Sequence, residues 1–421
     1  MEALKILKKL SAITKLQEIG GEIFLVGGIV RDHFLKKESK DIDIVVRNVK
    51  ESVIKEILES CGRLASDDTD GDGKTGSSFG VFKFFPNEIR LDEAIDIALP
   101  RTERLMTDFE FEEAVSSGKL KAHNRHKAFV VDSDPFLSIE EDLKRRDFTI
   151  NAMAMTMEGD LIDPFDGCMS LASCKLEHVS DQAFSDDPLR MMRGIQFASR
   201  FDFGFVDSTW KMIVENSADI KHITGERILS ELDKIFTKGD MLKGLILLQK
   251  SGLAEEIFPN FKSDELSRVP FSETREDFFS FLVESGDEFK KVLKGDVDTA
   301  KGIDAINIIR EGVIDETNNN ADLMKGMDTS KLRHIIFNAQ KKSSTVLESG
   351  LVHSNLNLSN VLNEFKNGTM PKSVNELALN GKDLMVLGLI GKQIGDAQKL
   401  MLNSVFTEEL ENTKESLESL F

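Results

Sequence analysis

Two aspartates stand two residues apart in the segment 40–46, KDIDIVV, whose other residues are typical of a buried strand. Side chains alternate between the faces of a strand, so Asp41 and Asp43 are expected on one face and Ile42 and Ile44 on the other. Two like charges this close repel each other unless solvent, a basic side chain or a metal ion separates them. Carboxylates aimed at one point suit Mg²⁺, which prefers oxygen ligands and keeps water and phosphate. An exposed strand with two solvated aspartates explains the pattern equally well at this point.

A glycine pair, Gly27 and Gly28, lies upstream between a predicted strand at 22–28 and a predicted helix at 29–37. Two glycines before a helix let backbone N–H groups approach an anion closely, and Arg31 adds a positive charge there. A plain tight turn is the alternative. A phosphate cradle together with metal-binding carboxylates is the minimum equipment for nucleotidyl transfer.

A third carboxylate, Asp96, lies in the apolar segment 94–99, AIDIAL, on the face opposite Ile95 and Ile97. It could complete a catalytic set with the first two aspartates. It could equally accept hydrogen bonds as a single inward-facing acid.

The bulk composition excludes several classes of protein. The chain has 421 residues, and its net charge of −19 argues against an indiscriminate nucleic-acid binder, because phosphate contacts need Lys and Arg. Three cysteines predict neither a disulfide framework nor a zinc cluster. We find no apolar run near the roughly 18 residues of a membrane span and no signal-peptide pattern, so a cytoplasmic protein without a membrane partner is expected. The chain contains no Tyr against 29 Phe.

The predicted secondary structure changes near residues 165–180. Before this point short strands (22–28, 40–46, 78–85 and 94–99) alternate with helical patterns (1–20, 29–37 and 49–61), which predicts a mixed α/β domain. After it, helical patterns dominate: 187–201, 207–217, 225–238, 241–252 and a long one within 383–421. The segment 262–345 is acidic with weak periodicity.

The acidic loop 66–76, SDDTDGDGKTG, begins like an EF-hand calcium loop. The twelfth position of such a loop needs a bidentate Glu, and this position holds Phe79. The pattern therefore favours a solvated connection between strands over a calcium site.

Several long motifs in the right order resemble the class II tRNA nucleotidyltransferases, the CCA-adding enzymes, and their relatives the bacterial poly(A) polymerases. FLVGGIVRDHFL followed by DIDIVV resembles the motif of the head domain, and EEDLKRRDFTINAMA (140–154) with DPFDG (163–167) resembles the second motif. SDDPLRMMRGIQFASRFDFGF (185–205) resembles the nucleotide-selecting helix, and GERILSELDKIF (225–236) the next neck helix. The resemblance is strong over 22–255, faint from 262 to 375, and returns at 380–402.

The resemblance implies an α/β nucleotidyltransferase head with a mixed sheet, followed by an all-α neck, body and tail. On this basis we expect the head at 1–165, a helical neck with nucleotide selection at 166–240, a helical body at 241–345 and a helical tail at 346–421. The expected reaction adds C and A to the 3′ end of tRNA from CTP and ATP and releases pyrophosphate. The acceptor–T arm of tRNA is the expected partner.

The resemblance also implies roles for individual residues. Asp41 and Asp43 would hold two Mg²⁺ ions, with Asp96 as the third catalytic carboxylate. Gly27, Gly28 and Arg31 would hold the triphosphate. The remaining nucleotide-binding positions are Arg146 and Asp147, which would contact the ribose, together with Asn151, Asp187, Arg190 and Arg193.

Asp187 and Arg190 lie three residues apart on one face of the predicted helix 187–201. Cytosine and adenine both present an amino donor beside a ring-nitrogen acceptor, which a carboxylate and a guanidinium match. Uracil and guanine present the opposite pattern, so one Asp–Arg pair could accept C and A and reject U and G. Asp187–Pro188 is also a good start for a helix, so capping is the alternative role.

Some positions depart from the family pattern, and some alternatives stay open. Many relatives have Glu where this chain has Asp186, Arg where it has Gln196, and Tyr where it has Phe165. A poly(A) polymerase, or a relative that adds only CC or only A, could share every motif. The long polar segment 105–129 favours full CCA addition over these. A non-catalytic RNA-binding protein is the rival from another class.

Overall fold

A computed structural model describes most of the chain. The described residues are 1–39, 41–65, 81–117, 129–261, 274–317, 333, 335–336, 338–339, 371, 373–406 and 409–421. The EF-hand-like loop 66–76 lies outside them, as does much of the segment 105–129. The chain divides into two compact units, one of residues 1–223 with 251–253 and one of 224–250 with 254–421.

A seven-stranded mixed sheet organises the first unit. Its order is β3-β4-β5-β2-β1-β8-β9, with the strands β1 (Glu22–Val26), β2 (Ile42–Arg47), β3 (Gly62–Leu64), β4 (Val81–Pro86), β5 (Ile95–Ala98), β8 (Ala154–Thr156) and β9 (Leu161–Ile162). All neighbours pair antiparallel except β2 and β5, which run parallel. Two smaller ribbons pair β6 (Arg101–Leu105) with β7 (Phe129–Ser133), and β10 (Lys175–Leu176) with β11 (Gly204–Phe205).

Ten helices accompany these strands in the part of the first unit that the structure describes. They are α1 (Glu2–Leu7), α2 (Ser11–Glu18), α3 (Gly28–Phe34), α4 (Glu51–Cys61), α5 (Asp108–Ser116), α6 (Ile139–Lys144), α7 (Gly167–Ala172), α8 (Ala183–Asp186), α9 (Leu189–Phe201) and α10 (Asp207–Glu215). Short 3₁₀ helices cover Thr149–Asn151 and Ser217–His222. Apolar residues of β1 and β2 pack against Ile139 and Leu143 of α6, so the sheet and α6 share one core.

The helix α9 is buried on most of its surface, because most of its residues are apolar or small and pack inside the unit. Phe148 packs edge-on against Phe197 of this helix, and a Cβ at Gly194 would come within 2.8 Å of the Phe148 ring. Gly194 is therefore required for this close approach. Further along, Trp210 packs against Phe205, with ring centroids 5.3 Å apart.

The second unit is helical throughout its described residues. Its helices are α11 (Gly225–Lys238), α12 (Met241–Lys250), α13 (Leu253–Ile257, which begins at the boundary), α14 (Arg275–Ser280), α15 (Gly286–Leu293), α16 (Val297–Thr317), α17 (Gly381–Val386), α18 (Lys392–Phe406) and α19 (Lys414–Glu418). Arg275 ties several of them together, since it pairs with Asp233 at 2.7 Å and Asp296 at 2.9 Å and lies over the Phe279 ring.

The expected fold class is confirmed: a mixed-sheet head is followed by helices. The predicted helix 225–238 has the same bounds in the structure, and most other predicted elements shift by one to three residues. The predicted helix 1–20 is two helices, because the backbone becomes extended at Leu10. The long helical pattern that ends the sequence, DAQKLMLNSVFTEELENTKESLESLF (396–421), is also two helices in the structure, since α18 ends at Phe406 and α19 begins at Lys414. Among the described residues, no helix is long and apolar enough to cross a membrane.

Candidate active site

Asp43 and Asp96 are direct neighbours across the parallel pair of strands. They are register partners in the β2–β5 ladder, and both are partly buried. Asp41 lies just before β2 and is exposed, so the first aspartate approaches the pair from the end of the strand. The structure thus brings together the three carboxylates that the sequence singled out.

The electrostatics of this trio show unbalanced negative charge. The pKa of Asp43 is raised to about 6, chiefly because burial disfavours the charged form, with repulsion from Asp96 and Asp41 adding to it. Arg146 and Lys83 act in the opposite direction. Burial also raises the pKa of Asp96, although Lys83 lies opposite on β4 with its Nζ 3.9 Å from Oδ1 of Asp96.

The donor chemistry of these residues fits Mg²⁺. Three carboxylates supply hard oxygen ligands, and their mutual repulsion is what a bound cation relieves. No group of three or more His, Cys, Asp or Glu side chains forms a preassembled metal cage among the described residues. An open arrangement suits an ion that keeps water and phosphate ligands.

The glycine turn lies close to Arg146. Gly27 has φ +73°, and a Cβ there would come 2.7 Å from Nη1 of Arg146. Gly28 begins α3, and a Cβ at this position would stand 3.5 Å from Nη2 of Arg31. Glycine at position 27 is therefore required both by the backbone and by the guanidinium beside it.

Arg31, Asn151, Asp147 and Arg193 form a continuous hydrogen-bonded chain. Nη1 of Arg31 donates to Oδ1 of Asn151 at 2.7 Å, and Nδ2 of Asn151 donates to Oδ1 of Asp147 at 3.0 Å. Nε of Arg193 donates to Oδ2 of Asp147 at 2.7 Å, and Arg31 also pairs with Asp32 at 2.7 Å. Five polar side chains, two of them on α3, thus hold each other in place.

Burial alone would raise the pKa of the Asp147 carboxyl. The charge of Arg193 and the hydrogen bonds from Asn151, Arg193 and the Phe148 N–H outweigh burial, and the pKa falls to about 2. Asp147 is therefore a fixed negative charge within the site.

Arg145 and Arg146 share the fully buried carboxylate of Asp142. Arg145 donates to Oδ1 at 3.0 Å, and Arg146 contacts Oδ2 at 3.4 Å. Nε of Arg146 is buried and has no hydrogen-bond partner among the described residues. In this part of the chain, this nitrogen is therefore an unpaired buried donor within the Arg146 guanidinium.

Asp187 and Arg190 both lie at the start of α9, and both side chains contact the backbone there. Oδ1 of Asp187 accepts from the N–H of Leu189 at 3.2 Å, which is a capping contact. Arg190 donates to the carbonyls of Ala183 at 3.1 Å and Arg145 at 2.7 Å. The capping role thus has direct geometric support, and the selection role stays a prediction.

Sequence reasoning missed the side chains that support the site. Lys83 enters only through the pairing of β4 with β5, for which the sequence carries no local signal. Phe197 follows Arg193 by one helical turn and Phe201 follows Phe197 by another, so helical spacing could have found both. Asp142 could have been found from the sequence, because it precedes Arg145 and Arg146 by three and four residues, a helical spacing that favours ion pairs.

Two family models match the chain. The model described as "Poly A polymerase head domain" matches residues 23–177, and the one described as "Probable RNA and SrmB- binding site of polymerase A" matches residues 202–265. The first match covers nearly the whole seven-stranded sheet, and the second covers α10 to α13, whereas α8 and α9 lie between the two matches.

Curated relatives match more than half of the chain. The "CCA-adding enzyme" of Geobacillus sp. (strain WCH70) is 33% identical over 248 residues, which are 58% of this chain and 53% of that protein. The "Multifunctional CCA protein" of Nitrosococcus oceani is 32% identical over 243 residues, 57% of this chain and 51% of that protein. The matches therefore span about half the length of these relatives.

Solved structures share the fold over nearly the whole chain. The Bacillus stearothermophilus CCA-adding enzyme in complex with CTP has a TM-score of 0.66 at 24% identity and covers 97% of this chain and 94% of its own. The Thermotoga maritima CCA-adding enzyme complexed with tRNA has a TM-score of 0.64 at 20% identity, covering 99% and 97%. At these identities the likeness concerns the fold, whereas the family models and the curated relatives rest on sequence. The chain belongs to the family of class II tRNA nucleotidyltransferases and bacterial poly(A) polymerases.

Proposed function

We propose that this protein adds C and A, without a template, to the 3′ end of tRNA from CTP and ATP and releases pyrophosphate. The observation that carries the proposal is the parallel pairing of β2 with β5, which sets Asp43 beside Asp96 with Asp41 next to them. Relatives named as CCA-adding enzymes support it, as do related folds solved with CTP and with tRNA.

In this proposal Asp41 and Asp43 hold two Mg²⁺ ions, with Asp96 as the third carboxylate of the catalytic set. The metals would supply a lower pKa at the RNA 3′-hydroxyl and stabilisation of charge on the triphosphate. The 3′-oxygen bonds to the α-phosphorus, the bond from this phosphorus to the β-phosphate bridge breaks, and the hydroxyl proton leaves to solvent.

The chain's own residues would bind and orient the nucleotide. Gly27, Gly28 and Arg31 would hold the triphosphate, and Arg146, whose guanidinium lies beside Gly27, would contact the ribose. Asp147 is ionised, because its pKa is about 2, and would accept a hydrogen bond from a ribose hydroxyl. The hydrogen bond from Asn151 would fix the orientation of the Asp147 carboxylate. Asp187 and Arg190, with Arg193 nearby, would select the base.

The partner in this proposal is tRNA, bound by its acceptor–T arm through shape and backbone contacts. Because the net charge is −19, we expect few contacts between cationic side chains and tRNA phosphates. Affinity for tRNA should therefore fall as the salt concentration rises, with a shallow slope of log affinity against log salt. A cytoplasmic location stays a prediction. So does the division into a head at 1–165, a neck at 166–240, a body at 241–345 and a tail at 346–421.

Three tRNA transcripts test the proposal: one that ends before CCA, one that ends after C and one that ends after CC. Each is incubated with Mg²⁺ and one labelled nucleotide at a time. The proposal expects C on the first two transcripts and a single A on the third. Repeated addition of A to any RNA would identify a poly(A) polymerase, and addition of only CC or only A would identify a restricted relative.

The double variant Asp41→Ala, Asp43→Ala is the control for chemistry. It should lose turnover while binding tRNA as well as the wild type does. A wild-type protein that binds tRNA and adds nothing would instead be a non-catalytic RNA-binding protein.

A further inference from the structure

Four cationic side chains lie around the rings of two stacked phenylalanines in α9. Phe197 and Phe201 stack with centroids 5.9 Å apart. Three cationic groups lie over the Phe201 ring: the guanidinium carbons of Arg31 at 4.8 Å and Arg200 at 4.9 Å, and Nζ of Lys37 at 5.0 Å. Arg31 also lies 5.5 Å from the Phe197 centroid, and Arg193 lies 5.4 Å from it.

Only two of these four cations are balanced by carboxylates in the described residues. Arg31 pairs with Asp32 and Arg193 pairs with Asp147. Lys37 and Arg200 have no Asp or Glu oxygen within 4.0 Å among the described residues, and the contact recorded for each cationic group is the Phe201 ring. A protein with a net charge of −19 thus keeps a local surplus of positive charge here.

Covering an aromatic ring does not by itself explain three cations. An aliphatic side chain would cover Phe201 without bringing like charges together, which costs free energy. The cost is visible at Arg31, whose pKa is lowered chiefly by burial and further by the charge of Arg200. An anion with several charges would relieve the repulsion among these cations, so the cluster is suited to bind one.

The cluster joins the glycine turn at Arg31. Nη2 of Arg31 stands 3.5 Å from the place of a Cβ on Gly28, while the Arg31 guanidinium lies over the same ring as Lys37 and Arg200. The exposed Lys37 and the partly buried Arg200 are both open to solvent. A ligand that contacts Arg31 therefore finds further positive charge around one aromatic ring.

We propose that Lys37 and Arg200 bind the β- and γ-phosphates of the nucleotide and hold the pyrophosphate as it departs. This inference rests on the proposed function, since it assigns the leaving group of the same reaction. When the bond between the α-phosphorus and the bridging oxygen breaks, that oxygen leaves with the β-phosphate and gains negative charge. A short group with several charges matches a compact cation cluster, whereas an RNA strand carries one charge per phosphate and needs an extended groove.

Binding of inorganic pyrophosphate with Mg²⁺, measured by titration calorimetry, tests the proposal without RNA or turnover. The variants are Lys37→Met and Arg200→Met, because Met keeps an aliphatic contact with the ring and removes the charge. Each should bind pyrophosphate about ten-fold more weakly, as expected for one lost contact to a charged group. Each should also raise the KM for CTP and leave the KM for tRNA unchanged. Lys37→Arg should bind pyrophosphate like the wild type.

Lys36→Met is the matched control, since Lys36 is an exposed neighbour with no recorded contact to the ring. Unchanged pyrophosphate affinity in both ring variants, with thermal midpoints like that of the wild type, would overturn the proposal. A raised KM for tRNA with an unchanged KM for CTP would overturn it too, in favour of an RNA contact. If the variants lose pyrophosphate binding but the wild type adds no nucleotide, the anion site stands and the proposed function fails.

Discussion

Asp43 and Asp96 stand side by side on the one parallel strand pair of the seven-stranded sheet, and the charge of Asp96 helps to raise the pKa of Asp43. Strand pairing makes this possible, because register partners on paired strands present their side chains on the same face. A partly buried pair of like charges lowers the stability of the folded protein unless a cation binds. We therefore predict that metal binding at this pair is coupled to the stability of the folded protein.

The first prediction is that Mg²⁺ stabilises the wild type but not Asp43→Asn. At about 100 times its Kd, a ligand that binds only the folded state adds about 2.7 kcal/mol, which corresponds to roughly 5–10 °C for a unit of this size. Differential scanning calorimetry with and without Mg²⁺ measures the difference. Asp160→Asn removes an exposed carboxylate elsewhere and should keep the full shift. An equal shift in the wild type and Asp43→Asn would disprove metal binding by Asp43. The same variant should lose turnover by about 10³-fold or more.

The second prediction concerns Gly27→Ala. Alanine is strained at φ +73°, and its Cβ would displace the Arg146 guanidinium, so both stability and nucleotide affinity should fall. We expect a loss of about 1–3 kcal/mol and a higher KM for CTP. Gly20→Ala is the matched control, because φ is +87° there and a Cβ meets nothing within 4 Å. It should cost stability alone. Equal effects of both variants on KM would show that the space beside Arg146 does not matter.

The third prediction is a pH-dependent loss in Asp147→Asn. The folded-state pKa of about 2 lies below the ordinary value of 3.8, so the ionised carboxylate contributes stability above about pH 4 and loses it as the pH falls towards 2. The shift corresponds to about 2 kcal/mol at pH 7. Urea unfolding of both proteins from pH 7 to pH 3 should show a gap that narrows with acid. A gap that stays constant would mean that the carboxylate charge is not what stabilises the fold.

The fourth prediction separates the two roles of Asp187. Asn caps a helix as well as Asp does, so Asp187→Asn should change stability by less than about 0.5 kcal/mol. Its amide can donate where the carboxylate accepts, so discrimination of CTP and ATP against UTP and GTP should fall by about 10- to 100-fold. Single-turnover incorporation of each nucleotide measures this. Unchanged selectivity in Asp187→Asn, with a stability loss in Asp187→Ala, would leave capping as the sole role.

The sequence predicted the fold class and the principal site elements because alternation and helical spacing are local properties. KDIDIVV showed two carboxylates, and AIDIAL showed a third with the correct facing. The pairing of these segments as parallel neighbours is not local, and no residue in either segment encodes it. Recognition of the family motifs supplied what periodicity could not.

Side-chain networks escaped prediction for the same reason. Lys83 meets Asp96 only through strand pairing, and Asn151 connects Arg31 to Asp147 across 120 positions of sequence. The break between α1 and α2 at Leu10 was also not predicted, because the sequence has neither Gly nor Pro at that point. The preference of Arg190 for two backbone carbonyls depends on where α8 and the Arg145 turn lie in space.

The packing of Trp210 against Phe205 has a practical consequence for spectroscopy. The chain has one Trp and no Tyr, so intrinsic fluorescence excited at the long-wavelength edge of the indole band, where Phe does not absorb, arises from Trp210 alone. This chromophore belongs to the first unit, and loss of its contact with Phe205 will change its emission. The second unit will unfold without a signal in this channel. Fluorescence and far-ultraviolet circular dichroism, recorded on the same sample, will therefore report whether the two units melt together or apart.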